Sequence, residues 1–279
     1  MSLAQLNPDW RGWVVENVQR GCTAADIASQ LIDNRVLSPD AAMRAIREAA
    51  AEVNRTLATN ARPRLQFDGD HAEIDGHKMR RSVSLESPRI AVIENILTPE
   101  ECAEFIVLGR EQLRQITVVD PDDGGDVVHE ARSGSFTSFA RAQTPLIARV
   151  ETRIAKLTSW PVENGEGFQL IHYAPGNEYK AHFDWFDPAL PGSAVHLKAG
   201  GQRIVTMIFY LNQPERGGGT QFPWLGGMTV SAVPGRALYF ENIDDSYAVD
   251  HRAQHAGMPV EAGEKWIVTK WLRVGPNVA

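Results

Sequence analysis

Residues 255–271 read HAGMPVEAGEKWIVTKW, a histidine followed by turn-forming residues and then by a run that begins at Lys265. The run from Lys265 to Trp271 is rich in tryptophan, isoleucine, valine and threonine, which favour strands. A lysine at the head of a mostly apolar strand is costly to bury unless an anion pairs with its ammonium group. The stretch therefore predicts a buried strand whose first residue faces an anionic ligand.

The chain after Gly167 carries the same strand signal almost throughout. Short runs rich in Val, Ile, Tyr, Phe and Trp are separated by clusters of glycine and proline. Many short strands at regular spacing are typical of a sandwich or barrel. Two helices, each announced by Thr-Pro, are predicted to begin at Thr98 and Thr144 and to pack outside the strands. The strands are predicted at Phe168–Tyr173, Ile204–Leu211, Met228–Val233, Arg236–Phe240 and Trp266–Leu272.

A candidate metal site lies upstream, at His182-Phe183-Asp184. Residues i and i+2 of a strand project from the same face, so we expect the imidazole and the carboxylate to lie side by side. Such a pair supplies two thirds of the two-histidine, one-carboxylate triad that binds non-haem iron. His255 is the best third ligand because of its context, whereas the other histidines occupy polar hairpin, loop or opposite-face positions.

These segments together resemble the prolyl 4-hydroxylase family of iron(II)- and 2-oxoglutarate-dependent dioxygenases. The resemblance covers roughly residues 90–273 and implies a mainly β fold with flanking helices around a double-stranded β-helix, or jelly-roll, core. It rests on the spacing of the three candidate ligands and Lys265, and on the segments Tyr173–Tyr179, Gly217–Pro223 and His255–Pro259 with the following Gly263, Trp266 and Trp271.

The resemblance also implies a role for each matching residue. Lys265 would bind the distal carboxylate of 2-oxoglutarate, with help from Thr220. The implied reaction couples oxidative decarboxylation of 2-oxoglutarate to succinate with hydroxylation of a C–H bond by dioxygen, and ascorbate is expected to stimulate it. The matching positions are His182, Asp184 and His255 for iron(II); Lys265, Thr220, Tyr173, Tyr179 and Trp271 for 2-oxoglutarate; and Arg203 on the substrate side.

The hydroxylated molecule stays open at this point. The loop between Asp184 and Arg203 and the amino-terminal helices are departures from the family's catalytic core. A prolyl residue in a peptide or protein, another side chain, a free amino acid and a small metabolite all remain candidates. The Asp- and Gly-rich loop Val118–Arg132 is the candidate for a lid that excludes water.

The first sixty residues predict three short helices that form a small bundle. Apolar residues recur there at helical spacing. Gly21 is predicted to end the first helix, and Thr23 to cap the second. Helical periodicity stops before Asn60–Pro63. We therefore divide the chain into an accessory bundle at residues 1–60 and a dioxygenase domain at residues 64–279.

Bulk composition predicts an ordinary soluble protein. The 279 residues are 43% hydrophobic and 23% charged, and no apolar run reaches the roughly 18 residues that would span a membrane. The first residues lack a basic flank followed by an apolar core, and the two cysteines lie far apart. We expect a cytoplasmic protein without disulfides.

Two functions of another class are alternatives to a dioxygenase. One is a non-enzymatic jelly roll that binds metal or sugar, and the combination of Lys265 with a complete triad argues against it. The other is DNA binding through the amino-terminal helices. Residues 1–60 hold six arginines and seven acids, hence a net charge of −1, within a chain of net charge −7. They therefore lack the excess of basic residues that is typical of a DNA-binding surface. Substrate docking or self-association into a homodimer is the expectation for the bundle.

Overall fold

The computed structural model describes residues 2–19, 22, 24–57, 62–127, 129–245 and 247–277. Short 3-10 helices occur at Leu3–Gln5, Val162–Asn164, Pro223–Leu225 and His251–Ala253. The α-helices are α1 Pro8–Gln19, α2 Ala24–Asp33, α3 Pro39–Leu57, α4 Pro99–Arg110, α5 Pro145–Thr158 and α6 Ser193–Leu197. The strands are β1 His71–Ile74, β2 His77–Glu86, β3 Arg89–Glu94, β4 Arg114–Gln115, β5 Val118–Val119, β6 Asp126–Val127, β7 Ser135–Phe139, β8 Phe168–Tyr173, β9 Tyr179–His182, β10 Arg203–Tyr210, β11 Arg216–Gly217, β12 Thr220–Phe222, β13 Met228–Val230, β14 Ala237–Glu241, β15 His255–Gly257, β16 Val260–Ala262 and β17 Lys265–Arg273.

Two antiparallel sheets form the body of the fold. The larger sheet has the order β1-β2-β3-β14-β10-β17-β8-β7-β4, and the smaller has the order β13-β12-β15-β9. An apolar core joins them, with Ile171, Ile208 and Ile267 from the larger sheet packed with Phe222 and Val230 from the smaller. This arrangement confirms the predicted jelly-roll class.

The central strands β10 and β17 are buried on both faces. In β10, Val205, Met207 and Phe209 belong to the core under α4 and α5, whereas Ile208 and Tyr210 belong to the core between the sheets. Burial on both sides explains why these strands are nearly continuous apolar runs in the sequence. Polar side chains on the inner face are therefore exceptions that need a partner or a ligand.

Local sequence signals account for several element ends. Asp75 and Gly76 both have positive φ, 53° and 80°, as a two-residue type I′ hairpin requires, and they join β1 to β2. Helix α4 opens with a capping box, in which the Thr98 side chain accepts from the Glu101 amide and the Glu101 carboxylate accepts from the Thr98 amide.

The amino-terminal helices pack on one another around Val14, Ile27 and Leu31. None of the helices that the structure describes has both the length and the apolar character needed to cross a membrane. The predicted helix end at Gly21 and cap at Thr23 lie outside the described residues, as do Asn60 and Ala61 of the predicted linker. The division into two domains therefore stays a prediction.

Contacts tie these helices to the β-sandwich. Ala189, which lies shortly after Asp184 in the sequence, is buried in the apolar core of the amino-terminal helices. Arg47 of α3 lies 3.6 Å from the carboxylate of Asp187. Arg62 of the predicted linker donates to Asp245 at 2.9 Å. The helices thus pack on the segment that leads away from the candidate metal site.

Candidate active site

Three metal-binding side chains converge where β9 and β15 pair. His182 and His255 are direct cross-strand partners. The Nε2 atom of His182 lies 3.7 Å from Oδ1 of Asp184, and the Nε2 atom of His255 lies 3.6 Å from Oδ2. One donor atom from each residue lies within 4.8 Å of the others, so the three could hold one metal ion.

Asp184 reaches this position in a different way from that expected. Strand β9 ends at His182, so strand alternation does not place the carboxylate. Instead, the hydroxyl of Thr206 in β10 donates to Oδ2 of Asp184 at 2.7 Å. The prediction that His182 and Asp184 share a strand is wrong, because the chain bends after β9 and a neighbouring strand orients the aspartate.

The charge state of the cluster suits a divalent metal. The Nδ1 atoms of His182 and His255 lie 2.9 and 3.1 Å from the carbonyl oxygens of Lys180 and Ala253, so each ring can donate there and keep Nε2 as a lone-pair donor. Burial, reinforced by His255, lowers the pKa of His182 to about 3. Burial would raise the pKa of Asp184, but the two histidines outweigh it and hold that pKa below its usual value. Two neutral imidazoles and one carboxylate form the donor set typical of non-haem iron(II).

Lys265 lies in the same cavity with its charge unmatched. The residue is 1% exposed, and its Nζ lies 4.2 Å from the ring centre of Tyr173. Within the described chain, no carboxylate forms an ion pair with this ammonium, and burial lowers its pKa to about 8. A buried cation without a protein anion is costly, so the geometry fits a site completed by an anionic ligand such as the distal carboxylate of 2-oxoglutarate.

One cavity of about 450 Å³ is lined by every residue that we predicted for the site. Thr220 is buried, and its hydroxyl accepts from Tyr210 at 2.8 Å, which leaves its own proton free to be donated. Tyr179 stacks on the ring of His182, and Trp271 has a buried indole N–H without a partner in the described structure. The nine residues are His182, Asp184, His255, Lys265, Thr220, Tyr173, Tyr179, Trp271 and Arg203.

Arg203 is in the cavity wall but is not a free cation. Its Nε and Nη2 donate to the two carboxylate oxygens of Glu166 at 2.6 and 2.8 Å. Its guanidinium also lies over the ring of Trp271, 3.8 Å from the ring centre. The arginine therefore presents a stacked, charge-paired surface to the cavity.

Sequence reasoning missed Thr206 and Arg132. Thr206 is the one polar residue in the apolar run from Ile204 to Phe209, and that isolation is a signal that it needs a partner. Arg132 donates to Gln169 at 2.8 Å and lies over the ring of Tyr179, 4.5 Å from its centre. No local signal distinguished Arg132, because it ends a polar loop.

Two segments meet at the mouth of the cavity. The lid candidate Val118–Arg132 contains the short β5–β6 hairpin, and α6 lies opposite. The Gly192 amide donates to the Pro121 carbonyl at 2.9 Å, and Nε2 of His196 lies 2.9 Å from the Gly124 oxygen. These contacts join the two segments, and residues of both line the same cavity as the candidate ligands.

Comparison with known proteins agrees with an iron(II) and 2-oxoglutarate site. Residues 168–273 match the family model described as the 2OG-Fe(II) oxygenase superfamily. The chain is 36% identical over 238 residues to probable prolyl 4-hydroxylase 10 of Arabidopsis thaliana, covering 78% of this chain and 79% of that protein. It is 35% identical over 205 residues to probable prolyl 4-hydroxylase 7 of the same plant, covering 67% of this chain and 63% of that relative's length.

A solved structure also resembles this fold. The viral collagen prolyl hydroxylase from Paramecium Bursaria Chlorella virus-1, solved as a complex with 2OG, superposes with a TM-score of 0.51 and 26% identity. The superposition covers 66% of this chain and 95% of the viral protein.

We expect His255→Ala to abolish turnover and to lower iron content from about one ion per chain. The reason is that three protein donors are needed to hold the ion while leaving positions open for ligands. Metal analysis after anaerobic loading measures this directly. The control His251→Ala, in the neighbouring 3-10 helix, should keep its iron. Full iron and activity in His255→Ala would remove that residue from the ligand set.

Proposed function

Because this chain belongs to the prolyl 4-hydroxylase family of iron(II)- and 2-oxoglutarate-dependent dioxygenases, we propose that it hydroxylates a prolyl residue in a peptide or protein. The observation that carries the chemistry is a three-donor metal cluster in one cavity with a buried, unpaired lysine. The names of the plant relatives support the prolyl substrate. The alternative is the same chemistry on another side chain, a free amino acid or a small metabolite.

The metal is assigned to His182, Asp184 and His255. These three donors would hold the ion and leave it accessible to a 2-oxo acid and dioxygen. Bound iron(II) supplies the activation of dioxygen that couples decarboxylation of 2-oxoglutarate to hydroxylation of the substrate. The protein's part is to orient the reactants and to exclude water.

The co-substrate is assigned to the Lys265 side of the cavity. The ammonium pairs with the distal carboxylate, and the free proton of Thr220 donates to the same group. Tyr173, Tyr179 and Trp271 line the cavity and would form the walls around the co-substrate. This arrangement neutralises the buried ammonium, which has no carboxylate partner among the described residues.

The substrate is assigned to the open side of the cavity, towards Arg203 and the mouth. The lid candidate Val118–Arg132, which contacts residues 190–196, would then close over a bound peptide. Arg203, paired with Glu166, would offer polar surface to a peptide backbone on this side.

Further expectations belong to the same proposal. Ascorbate should stimulate turnover, as the family resemblance implies. A cytoplasmic location stays a prediction, and so does self-association into a homodimer. The amino-terminal helices are proposed to assist substrate capture, since they pack on Ala189 and Asp187 beside the cavity.

The substrate proposal is tested by incubating a cell extract and proline-containing peptides with the protein, iron(II), 2-oxoglutarate and ascorbate. We expect a peptide product that is one oxygen heavier, with the added oxygen located on proline by fragmentation mass spectrometry. Protein carrying His255→Ala serves as the control. Oxygen added only to a free amino acid, a metabolite or another side chain would favour the alternative.

We expect Lys265→Met to raise the KM for 2-oxoglutarate roughly a hundredfold or more while leaving iron loading near normal. Removing one partner of a buried charge pair typically costs about 3–5 kcal/mol, and methionine keeps the volume of the side chain. Steady-state succinate release over a range of 2-oxoglutarate concentrations gives the value. An unchanged KM would show that the lysine does not bind the co-substrate.

The same pair predicts a pH dependence. Burial lowers the Lys265 pKa to about 8, so in the free protein the ammonium is intact below that pH and is lost as pH rises through it. Affinity for 2-oxoglutarate should be full below pH 8 and should fall by up to about tenfold per pH unit above it. Equilibrium binding of 2-oxoglutarate between pH 7 and 10 checks this, and Lys265→Met should show no such step.

For the amino-terminal helices, we expect Ala189→Arg to weaken turnover of the true substrate by at least about tenfold, because small displacements near a site are costly. Ala189 is 3% exposed within the helical core, so an arginine there would push the helices away. Succinate release without substrate should persist. Loss of that uncoupled reaction in a well-folded variant would mean that the helices help to build the active site itself.

A further inference from the structure

Two buried polar side chains are linked by hydrogen bonds to the candidate metal ligand Asp184. They are Thr206 in β10 and Asn242, which directly follows β14. We infer that Thr206 and Asn242 form a relay of positioning residues that holds the Asp184 carboxylate in its metal-binding orientation. The inference rests on the metal site of the proposed function and extends it to residues that do not touch the metal.

The contacts form a continuous chain of donors. Asn242 Nδ2 donates to Thr206 Oγ1 at 3.0 Å, and Thr206 Oγ1 donates to Asp184 Oδ2 at 2.7 Å. Thr206 is 0% exposed and Asn242 is 2% exposed, so bulk water does not compete for these groups. The relay therefore runs from the end of β14 through the central strand to the metal ligand.

The backbone holds the far end of the relay in place. The backbone N–H of Asn242 donates to the backbone carbonyl of Ile204 at 2.9 Å. The backbone carbonyl of Asn242 accepts from the backbone N–H of Asp250 at 3.0 Å. Asn242 is thus bound both to β10 and to the segment that leads to His255. An anchored residue of this kind can transmit a fixed orientation to the hydroxyl that it contacts.

Hydrogen-bond polarity gives the relay a single direction. A threonine hydroxyl has one proton, and an ionised carboxylate only accepts. Thr206 must therefore give its proton to Asp184 and accept from its other neighbour. The group of Asn242 that faces Thr206 must then be the NH₂ group, because the amide oxygen could not donate.

Asp184 needs this support because it lies outside the strand that carries His182. Its carboxylate could rotate about its own side chain, and both oxygens lie near the histidines. The Thr206 hydroxyl binds Oδ2 and so removes that freedom. Partners of metal ligands commonly change metal affinity by about 10–100-fold when they are lost.

The test measures Mn(II) binding by calorimetry on the full chain, without 2-oxoglutarate and without turnover. We expect Thr206→Val to weaken Mn(II) binding by about 10–100-fold, since valine keeps the shape and loses the hydroxyl. Thr206→Ser, which restores the hydroxyl, should bind within a few-fold of the unmodified protein. Thr137→Val is the matched control, because Thr137 is also a buried threonine of the larger sheet but does not line the cavity; it should bind Mn(II) normally.

A double-mutant cycle tests the relay itself. Asn242→Leu should weaken Mn(II) binding in the unmodified protein but add no further loss in the Thr206→Val background, because both act through one hydroxyl. Equal losses in both backgrounds would overturn the relay. Thermal unfolding of the metal-free variants distinguishes this positioning role from a purely structural one. A purely structural role would lower stability but leave the Mn(II) affinity of the folded protein unchanged.

The outcomes also separate this inference from the metal site itself. If the unmodified protein binds no Mn(II), the proposed metal site fails. If it binds Mn(II) and folded Thr206→Val binds equally well, only the positioning role is overturned.

Discussion

A single buried ammonium group sets the main constraint on this structure. Lys265 lies inside the β-sandwich, 1% exposed, and the described residues supply no carboxylate beside it. Keeping a charge there costs free energy that the surrounding core must offset. An anionic ligand would offset this cost, and in our proposal the distal carboxylate of 2-oxoglutarate supplies the missing charge.

Other buried basic side chains have acidic partners within the protein, unlike Lys265. Lys270, five residues further along the same strand, is 2% exposed and lies 2.5 Å from Glu151 of α5. Arg203 and Arg273 share Glu166, with contacts of 2.6 and 2.7 Å. These charges are paired within the protein, whereas the Lys265 ammonium has no carboxylate partner among the described residues and in our proposal pairs with a ligand. The difference follows from the strand, because odd and even positions of β17 point to opposite faces.

The metal cluster depends on the same sandwich in another way. His182 and His255 come from strands that are far apart in sequence but adjacent in the smaller sheet, and Asp184 is held from the larger sheet through Thr206. The site therefore lies where the two sheets face each other. Movement of one sheet relative to the other would separate the donors, so core packing between the sheets and metal binding are coupled.

Local patterns in the sequence determined a β-sandwich or barrel with outer helices, because strand runs and turn residues follow from local chemistry. The jelly-roll class and most of the site residues came from the resemblance of the segments around His182, His255 and Lys265 to a known family. The hairpin at Asp75-Gly76 and the capping box at Thr98 follow from local chemistry in the same way.

The tertiary structure alone decided how those residues are held. Asp184 is oriented by Thr206 from a strand 22 residues later, and Arg203 is neutralised by Glu166 from 37 residues earlier. It also showed that the amino-terminal helices pack on Ala189 next to the cavity. Contacts of this kind join residues that no period or motif links, because they depend on which strands the chain places side by side.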